Sequence, residues 1–98
     1  MQIAFIGSLL ELCREQNMTK ASETLCITQQ GLSRQVQAIE RELDVVLFER
    51  SRSGVAPTEL CERIRPRLER IREEYELVLK DIETARHGEA EGSLSIAF

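Results

Sequence analysis

Residues 19–43 read TKASETLCITQQGLSRQVQAIEREL, and the stretch contains two helical patterns separated by a short turn. Thr19 is of a residue type that caps helices, and the first pattern runs from it to about Leu25. Thr28 is predicted to cap a second helix that ends near Leu43. Two helices joined by three or four residues are typical of a helix-turn-helix, whose second helix enters the major groove of DNA.

The second helix, residues 28–43, has two contrasting faces. Its apolar residues recur at i, i+4, i+7 and i+11 and predict a core stripe of Leu32, Val36, Ile39 and Leu43. The opposite face offers amides, one hydroxyl and one guanidinium, from Gln29, Gln30, Ser33, Arg34 and Gln37. Glutamine can bond adenine, arginine can bond guanine, and serine can bond either. A merely solvated face would normally pair its arginine with a carboxylate, and none follows in this helix before Glu40, so we predict base contacts.

Further residues are candidates for the phosphate backbone. Thr28 and the first amides of its helix can meet a phosphate, helped by the helix dipole. Asn17, Thr19 and Lys20 precede or begin the shorter helix and are plausible phosphate contacts, although such residues are also common on protein surfaces.

The flanking segments complete a winged helix-turn-helix over residues 1–58. Residues 3–16 have apolar side chains spaced for one helix face, at Ile3, Ile6, Leu9, Leu10 and Cys13. Residues 45–48, VVLF, favour a strand, SRSG a turn, and VAP a short returning strand. This two-stranded wing, residues 49–56, contains Arg50, Arg52 and Ser53, which can reach phosphates or a minor groove. A solvated loop is the alternative reading of those three residues.

Residues 59–88 predict one long helix, capped by Thr58 and closed by Gly88. Thirty residues at about 1.5 Å each give roughly 45 Å. Pro66 lies inside the pattern and predicts a kink or a local break. The apolar positions alternate in steps of three and four, as in a heptad seam that needs a partner helix, and they are Leu68, Ile71, Tyr75, Val78, Ile82 and Ala85.

The charge balance leaves a second hypothesis open. The net charge is −4, which speaks against a nucleic-acid partner. Residues 1–58 hold six basic against seven acidic side chains, and residues 59–98 hold seven against ten. Most of the acidity therefore lies in the second half, and any basic surface must be local. The alternative is an acidic coiled-coil dimer whose N-terminal bundle binds protein.

Several classes of protein are disfavoured. No run approaches the roughly 20 apolar residues of a membrane span, and no secretory signal is evident. The three cysteines lack metal-ligand spacing and fit a reducing cytosol. They are expected to be small buried hydrophobes, and a redox-sensing thiol is the alternative, although no neighbouring residue marks one. His87 suits the end of a helix. We therefore expect no enzyme activity, metal site or cofactor.

The motifs resemble the N-terminal domain of LysR-type transcriptional regulators. The matching features are an alanine at the start of the second helix, then L-x-I-T-Q, LS-x-Q, IE and LF-x-R, carried by Ala21, Leu25, Ile27, Thr28, Gln29, Leu32, Ser33, Gln35, Ile39, Glu40, Leu47, Phe48 and Arg50. Residues 92–97, GSLSIA, are similar to the first strand of the family's effector-binding domain. Residues 89–98 are thus expected to be a hinge and the beginning of a truncated domain.

This resemblance implies a bacterial, cytoplasmic transcription factor that binds inverted repeats in double-stranded DNA as a homodimer through its linker helix. Further assembly into tetramers is implied for the full-length protein, and a small-molecule effector only for its absent C-terminal domain. The chain departs from the family pattern at Ser22, Gly31 and Cys61, and Gln30 is the departure that can alter which bases are read. Gly31 is expected to cost up to about 1 kcal/mol of helix propensity.

Overall fold

The computed structural model of the chain describes residues 2–88. Four helices and a two-stranded sheet follow one another as α1 (Ile3–Glu15), α2 (Met18–Leu25), α3 (Gln29–Leu43), β1 (Phe48–Ser51), β2 (Gly54–Pro57) and α4 (Glu59–Gly88). The order confirms a mainly α, winged helix-turn-helix fold followed by a long helix. Residues 89–98, where a hinge and a strand are expected, lie outside the described residues.

The two helices of the helix-turn-helix begin at side-chain caps. Thr28 caps α3 as predicted, because its hydroxyl oxygen accepts a hydrogen bond from the amide of Gly31 at 2.9 Å. The prediction that Thr19 caps α2 is wrong. Asn17 already has the extended backbone of a cap, and its side-chain oxygen accepts from the amide of Lys20 at 2.8 Å.

The wing is an antiparallel hairpin in which Phe48 pairs with Pro57 and Ser51 with Gly54. The predicted strand over residues 45–48 is wrong for its first three residues. The backbone amide of Leu47 donates to the carboxylate of Glu40 at 2.7 Å instead of to a neighbouring strand. Regular pairing therefore starts only at Phe48.

One hydrophobic core joins all four helices and the wing. The predicted stripe of α3 contributes Leu32, Val36 and Ile39, each at most 4% exposed. Leu43 is 44% exposed, so its assignment to the stripe is wrong. It is the last residue of α3, and the chain turns away at once through Asp44 in the left-handed conformation. The other buried apolar side chains are Ile6, Leu9, Leu10, Leu12, Cys13, Ala21, Leu47, Phe48, Val55, Cys61 and Leu68.

Helix α4 is continuous through Pro66, so the predicted local break does not occur. Its first turns belong to the core, because Cys61 and Leu68 are 0% and 5% exposed. A boundary at residue 58 therefore divides secondary structure but not the core. Residues 69–87 are all exposed, and the described part of the chain extends 57 Å along its longest axis.

The cysteines do not all behave as predicted. Cys13 and Cys61 are buried, whereas Cys26 is exposed because it ends α2 in a left-handed conformation with φ 60°. Among residues 2–88 no helix combines the length and the apolar character that crossing a membrane requires.

Candidate nucleic-acid interface

The turn between α2 and α3 is held by backbone hydrogen bonds. The amide of Cys26 donates to the carbonyl of Glu23 at 3.1 Å, and that of Ile27 donates to the carbonyl of Ser22 at 3.0 Å. These bonds satisfy carbonyls that the end of α2 would leave unpaired. The turn is consequently ordered, and it fixes the direction in which α3 leaves it.

Glycine at position 31 is favoured by the space around the helix cap, although it lowers the helix propensity. A side-chain carbon added there would lie 3.1 Å from the hydroxyl oxygen of Thr28, which is tighter than most such contacts. The same oxygen accepts the hydrogen bond from the Gly31 amide. Glycine therefore leaves room for the cap that starts α3, and the hydroxyl hydrogen of Thr28 still has a direction in which to donate.

The five residues predicted to contact bases lie on one surface of α3. Ser33 lies four residues from both Gln29 and Gln37 and three residues from Gln30. Arg34 lies four residues from Gln30 and three from Gln37, so these side chains are neighbours on the helix surface. Gln29, Gln30, Arg34 and Gln37 are exposed, and Ser33 is half-buried. This surface lies opposite the buried stripe of α3 and is accessible in the single chain.

The wing contacts this surface through Arg50. One guanidinium nitrogen of Arg50, Nη2, donates a hydrogen bond to the hydroxyl oxygen of Ser33 at 2.8 Å. The sequence pattern predicts both residues as DNA contacts but does not predict that they touch. The contact makes the wing and α3 one continuous surface, and it orients the Ser33 hydroxyl as an acceptor from Arg50.

The wing is also anchored to the end of α1. Gly54 has φ 133°, and a side-chain carbon there would lie 2.6 Å from the carbonyl oxygen of Gln16. The same carbonyl accepts from the amide of Val55 at 3.3 Å. Arg52 and Ser53, which precede Gly54 in the hairpin turn, are exposed.

The predicted phosphate contacts at the start of α2 differ in whether their side chains already form hydrogen bonds within the protein. Asn17 uses its side-chain oxygen as a helix cap, which leaves its amide hydrogens for a phosphate. Thr19 and Lys20 are exposed in the first turn of α2. All three predicted backbone contacts therefore retain a donor that can face an anion.

Two residues that support the surface were not predicted as such. Glu40 accepts hydrogen bonds from the amides of Leu47 and Phe48 at 2.7 and 3.1 Å, which ties the end of α3 to the base of the wing. Gln35 accepts from the buried hydroxyl of Ser8 at 2.5 Å, which ties α3 to α1. Both belong to the sequence motifs IE and LS-x-Q, and that was the only signal for them.

The local charge of the surface is opposite to that of the chain. Its charged side chains among the predicted contacts are Lys20, Arg34, Arg50 and Arg52, all basic, whereas the chain carries −4. Helix α4 holds eight acidic side chains, with Glu59 and Glu62 in its first turn, and seven basic ones among them. Because the charged side chains among the predicted contacts are all basic, the net charge of the whole chain is no objection to an anionic ligand at this surface.

The predicted heptad seam of α4 is exposed from Ile71 onward, and its first residue, Leu68, is not exposed. Leu68 is buried in the chain's own core, so its assignment to a free interface is wrong. Ile71, Tyr75, Val78 and Ile82 are between 39% and 51% exposed, and Ala85 is exposed as well. Exposed apolar side chains in one row are typical of interaction surfaces. Together with Ile3 of α1, the first three line a groove of about 570 Å³.

Within residues 2–88, no three His, Cys, Asp or Glu side chains are grouped so that they could hold a metal ion. His87 lies in the last turn of α4, with its Nε2 atom 3.8 Å from a carboxylate oxygen of Glu83. This placement is that of an exposed helix-terminal residue.

Comparison with known proteins gives consistent results. The family model described as "Bacterial regulatory helix-turn-helix protein, lysR family" matches residues 6–62. The HTH-type transcriptional regulator YkuM of Bacillus subtilis (strain 168) is 33% identical over 97 residues, which are 99% of this chain and 33% of YkuM. The chain spans about a third of the length of the curated relatives that it matches.

Solved structures agree with the sequence comparison. The structure of CbnR, a LysR family transcriptional regulator, is similar with a TM-score of 0.82 and 28% identity over 91% of this chain and 31% of CbnR. A complex of BenM_DBD with catB site 1 DNA is similar with a TM-score of 0.80 and 27% identity, covering 90% and 95%. The matched family and relatives are transcriptional regulators and not enzymes, as predicted. The chain therefore belongs to the lysR family of bacterial regulatory helix-turn-helix proteins.

Proposed function

We propose that the chain is the DNA-binding part of a LysR-type transcriptional regulator together with its linker helix, and that α3 reads a DNA major groove. The observation that carries this proposal is the exposed face of α3, where three glutamines and Arg34 lie in a helix that has no carboxylate before Glu40. A solvent-facing helix usually pairs opposite charges, as α4 does where Arg65 lies 3.7 Å from Glu69. The face of α3 instead offers side-chain donors and acceptors of the kinds that bond base edges.

Each residue of that face has a chemical role in the proposal. Gln29, Gln30 and Gln37 can bond adenine through N6 and N7, and Arg34 can bond guanine through O6 and N7. Thr28 and the first amides of α3 meet a phosphate at the positive end of the helix dipole. These contacts fix the register of the helix on the duplex, and the base contacts then supply the sequence preference.

The remaining predicted contacts flank α3. Asn17, Thr19 and Lys20 are proposed to bind a phosphate on one side. On the other side, Arg52 and Ser53 of the wing are proposed to approach the minor groove, where the negative potential favours an arginine. Arg50 stands between wing and helix and is proposed to position Ser33.

A salt titration tests whether the chain binds double-stranded DNA through its phosphates. Binding to a duplex should weaken steeply as salt rises, because basic side chains displace counterions from the phosphates. A chain that binds no duplex at low salt would refute the proposal. That result would favour the alternative, an acidic coiled-coil dimer that binds protein. The exposed apolar residues Leu77 and Leu79 of α4 would then be part of its contact surface.

Substitutions test the assigned roles, once a preferred duplex has been selected from random DNA. Arg34→Ala should lose about 1–3 kcal/mol of discrimination at one base pair, whereas Arg52→Ala should weaken binding to all duplexes alike. Arg72→Ala removes the same charge from an exposed site on α4 and serves as the control. If Arg34→Ala kept its full discrimination, the assignment of the recognition face would be wrong.

We also propose that the exposed seam of α4 forms a homodimer, which would place two α3 helices on an inverted repeat. A second copy suits this seam because its apolar residues keep a heptad spacing over four turns. Ile71→Glu or Val78→Glu should give monomers in analytical ultracentrifugation. Lys80→Glu, on the opposite face of α4, should remain dimeric, and a dimeric Ile71→Glu variant would refute this interface.

Three wider assignments rest on the family. We propose that residues 1–58 form the DNA-binding domain, residues 59–88 the linker helix, and residues 89–98 the entry into an effector-binding domain. Such a domain would bind a small molecule and would permit assembly into tetramers. A cytoplasmic location follows from the same proposal, since the ligand is chromosomal DNA.

A further inference from the structure

Two buried thiols face each other between α1 and α4. The Sγ atoms of Cys13 and Cys61 are 3.6 Å apart, although the residues are 48 positions apart in the chain. Their side chains are 1% and 0% exposed. The third cysteine, Cys26, is exposed at the end of α2 and is not part of this pair.

The two sulfurs are polarised differently by their contact. The hydrogen bond from Cys61 lowers the pKa of the Cys13 thiol, and the guanidinium of Arg65 lowers it further against the opposing effect of burial. The same hydrogen bond, together with burial, raises the pKa of Cys61. Cys13 is thus the sulfur of the pair that loses its proton more readily, although either thiol can donate the hydrogen bond between them.

The pair needs only a small movement to form a bond. A disulfide has a sulfur–sulfur distance of about 2.05 Å, so the sulfurs would approach by about 1.6 Å. Cys13 lies in the last two turns of α1 and Cys61 in the first turn of α4. Helix ends open more readily than helix centres. Such opening would let a small oxidant reach the two sulfurs, which are buried in the folded structure.

We propose that Cys13 and Cys61 are an oxidisable pair, which hydrogen peroxide converts into an intrachain disulfide that fastens α1 to α4. The Cys13 thiolate attacks one peroxide oxygen, the O–O bond breaks, and a sulfenic acid forms with release of hydroxide, which takes up the proton that Cys13 has lost. The Cys61 sulfur then attacks the Cys13 sulfur, and the S–O bond breaks. The departing hydroxide takes the Cys61 proton, so that two thiols lose two electrons and peroxide becomes two waters.

This bond would join the parts of the molecule that set the geometry of DNA binding. The loop that it closes contains α2, α3 and the wing, and its far end is the start of α4. Fixing α4 against α1 would fix the direction in which the exposed seam leaves the domain. Any effect on DNA affinity rests on the proposed function, whereas formation of the bond does not.

Thiol counting tests the proposal on the full chain. After hydrogen peroxide, quenching and denaturation, alkylation should modify one thiol and not three, with a mass loss of about 2 Da before alkylation. Peptide mapping should find residue 13 linked to residue 61. The melting temperature should rise by on the order of 10 °C and return after dithiothreitol.

Two variants separate this pair from other thiol reactions. Cys26→Ser should retain the crosslink, and Cys61→Ser should abolish it. Since Cys61→Ser can impair folding, the reversible change in melting temperature of the unmodified chain is the second, independent measurement. The proposal is overturned if all three thiols remain free, if the crosslink contains Cys26, or if Cys13 gives only sulfinic acid. A failure to bind DNA in either redox state would refute the proposed function and leave the crosslink unaffected.

Discussion

Removing the carboxylate of Glu40 should loosen the wing. One oxygen of this side chain, Oε2, accepts hydrogen bonds from the amides of Leu47 and Phe48 at 2.7 and 3.1 Å. Each bond to a charged group contributes about 1.5–3 kcal/mol when partly buried, and Glu40 is half-buried. Allowing for water that replaces part of the loss, we expect Glu40→Ala to lower the free energy of unfolding by about 2–4 kcal/mol.

The charge contribution can be separated from that of the acceptor. Glu40→Gln keeps an oxygen that can accept both amides but removes the charge, so it should cost roughly half as much. Glu49→Ala removes an exposed carboxylate from β1 and should change the stability by less than about 0.5 kcal/mol. Urea denaturation followed by circular dichroism gives these differences by linear extrapolation.

Hydrogen exchange locates the effect. The amides of Leu47 and Phe48 should lose protection in Glu40→Ala, because their acceptor is gone, while those at the centre of α1 should change only with global stability. The reasoning is refuted if Glu40→Ala is as stable as the unmodified chain. It is also refuted if Glu40→Gln and Glu40→Ala lose the same free energy, since the hydrogen bonds would then not be the cause.

Three further substitutions test individual contacts. Gly54→Ala should lower the free energy of unfolding by about 1–3 kcal/mol, because the new carbon meets the Gln16 carbonyl at 2.6 Å, and urea denaturation measures it. Ser33→Ala and Arg50→Ala should be non-additive in duplex affinity, with a coupling of about 0.5–1.5 kcal/mol by double-mutant cycle; strict additivity would contradict the 2.8 Å hydrogen bond. Thr58→Ala should cost about 1–2 kcal/mol in thermal or urea unfolding, because its hydroxyl bonds two carbonyls before the wing and receives an α4 amide; an unchanged midpoint would contradict this.

The periodic parts of the sequence predicted the fold well. Apolar spacing predicted α1, the long α4 and the buried side of α3, because a helix that packs on one face must repeat its apolar residues every three or four positions. Helix α2 was predicted from its capping residue types. The errors occurred at helix and strand ends. Asn17 and Thr19 are both good capping types two residues apart, and the pattern alone does not choose between them.

Strand propensity and heptad spacing each gave a wrong prediction where a tertiary contact determines the structure. Val46 favours a strand, yet it is 58% exposed and precedes β1, because the next two amides are bound by Glu40. Leu68 fits the heptad spacing of α4, yet the core of the same chain covers it. In both places a partner distant in sequence decides the outcome.

The sequence by itself determined the order of the elements, the core stripe of α3 and the identity of its exposed amide face. Only the tertiary structure decided which distant residues meet. Ser33 with Arg50, Ser8 with Gln35, and the two buried cysteines are pairs separated by 17, 27 and 48 residues. Periodicity and capping act over one or two helical turns, and they carry no information about such pairs. These contacts arise when the elements pack: the first joins α3 to the wing, the second joins α1 to α3, and the third joins α1 to α4.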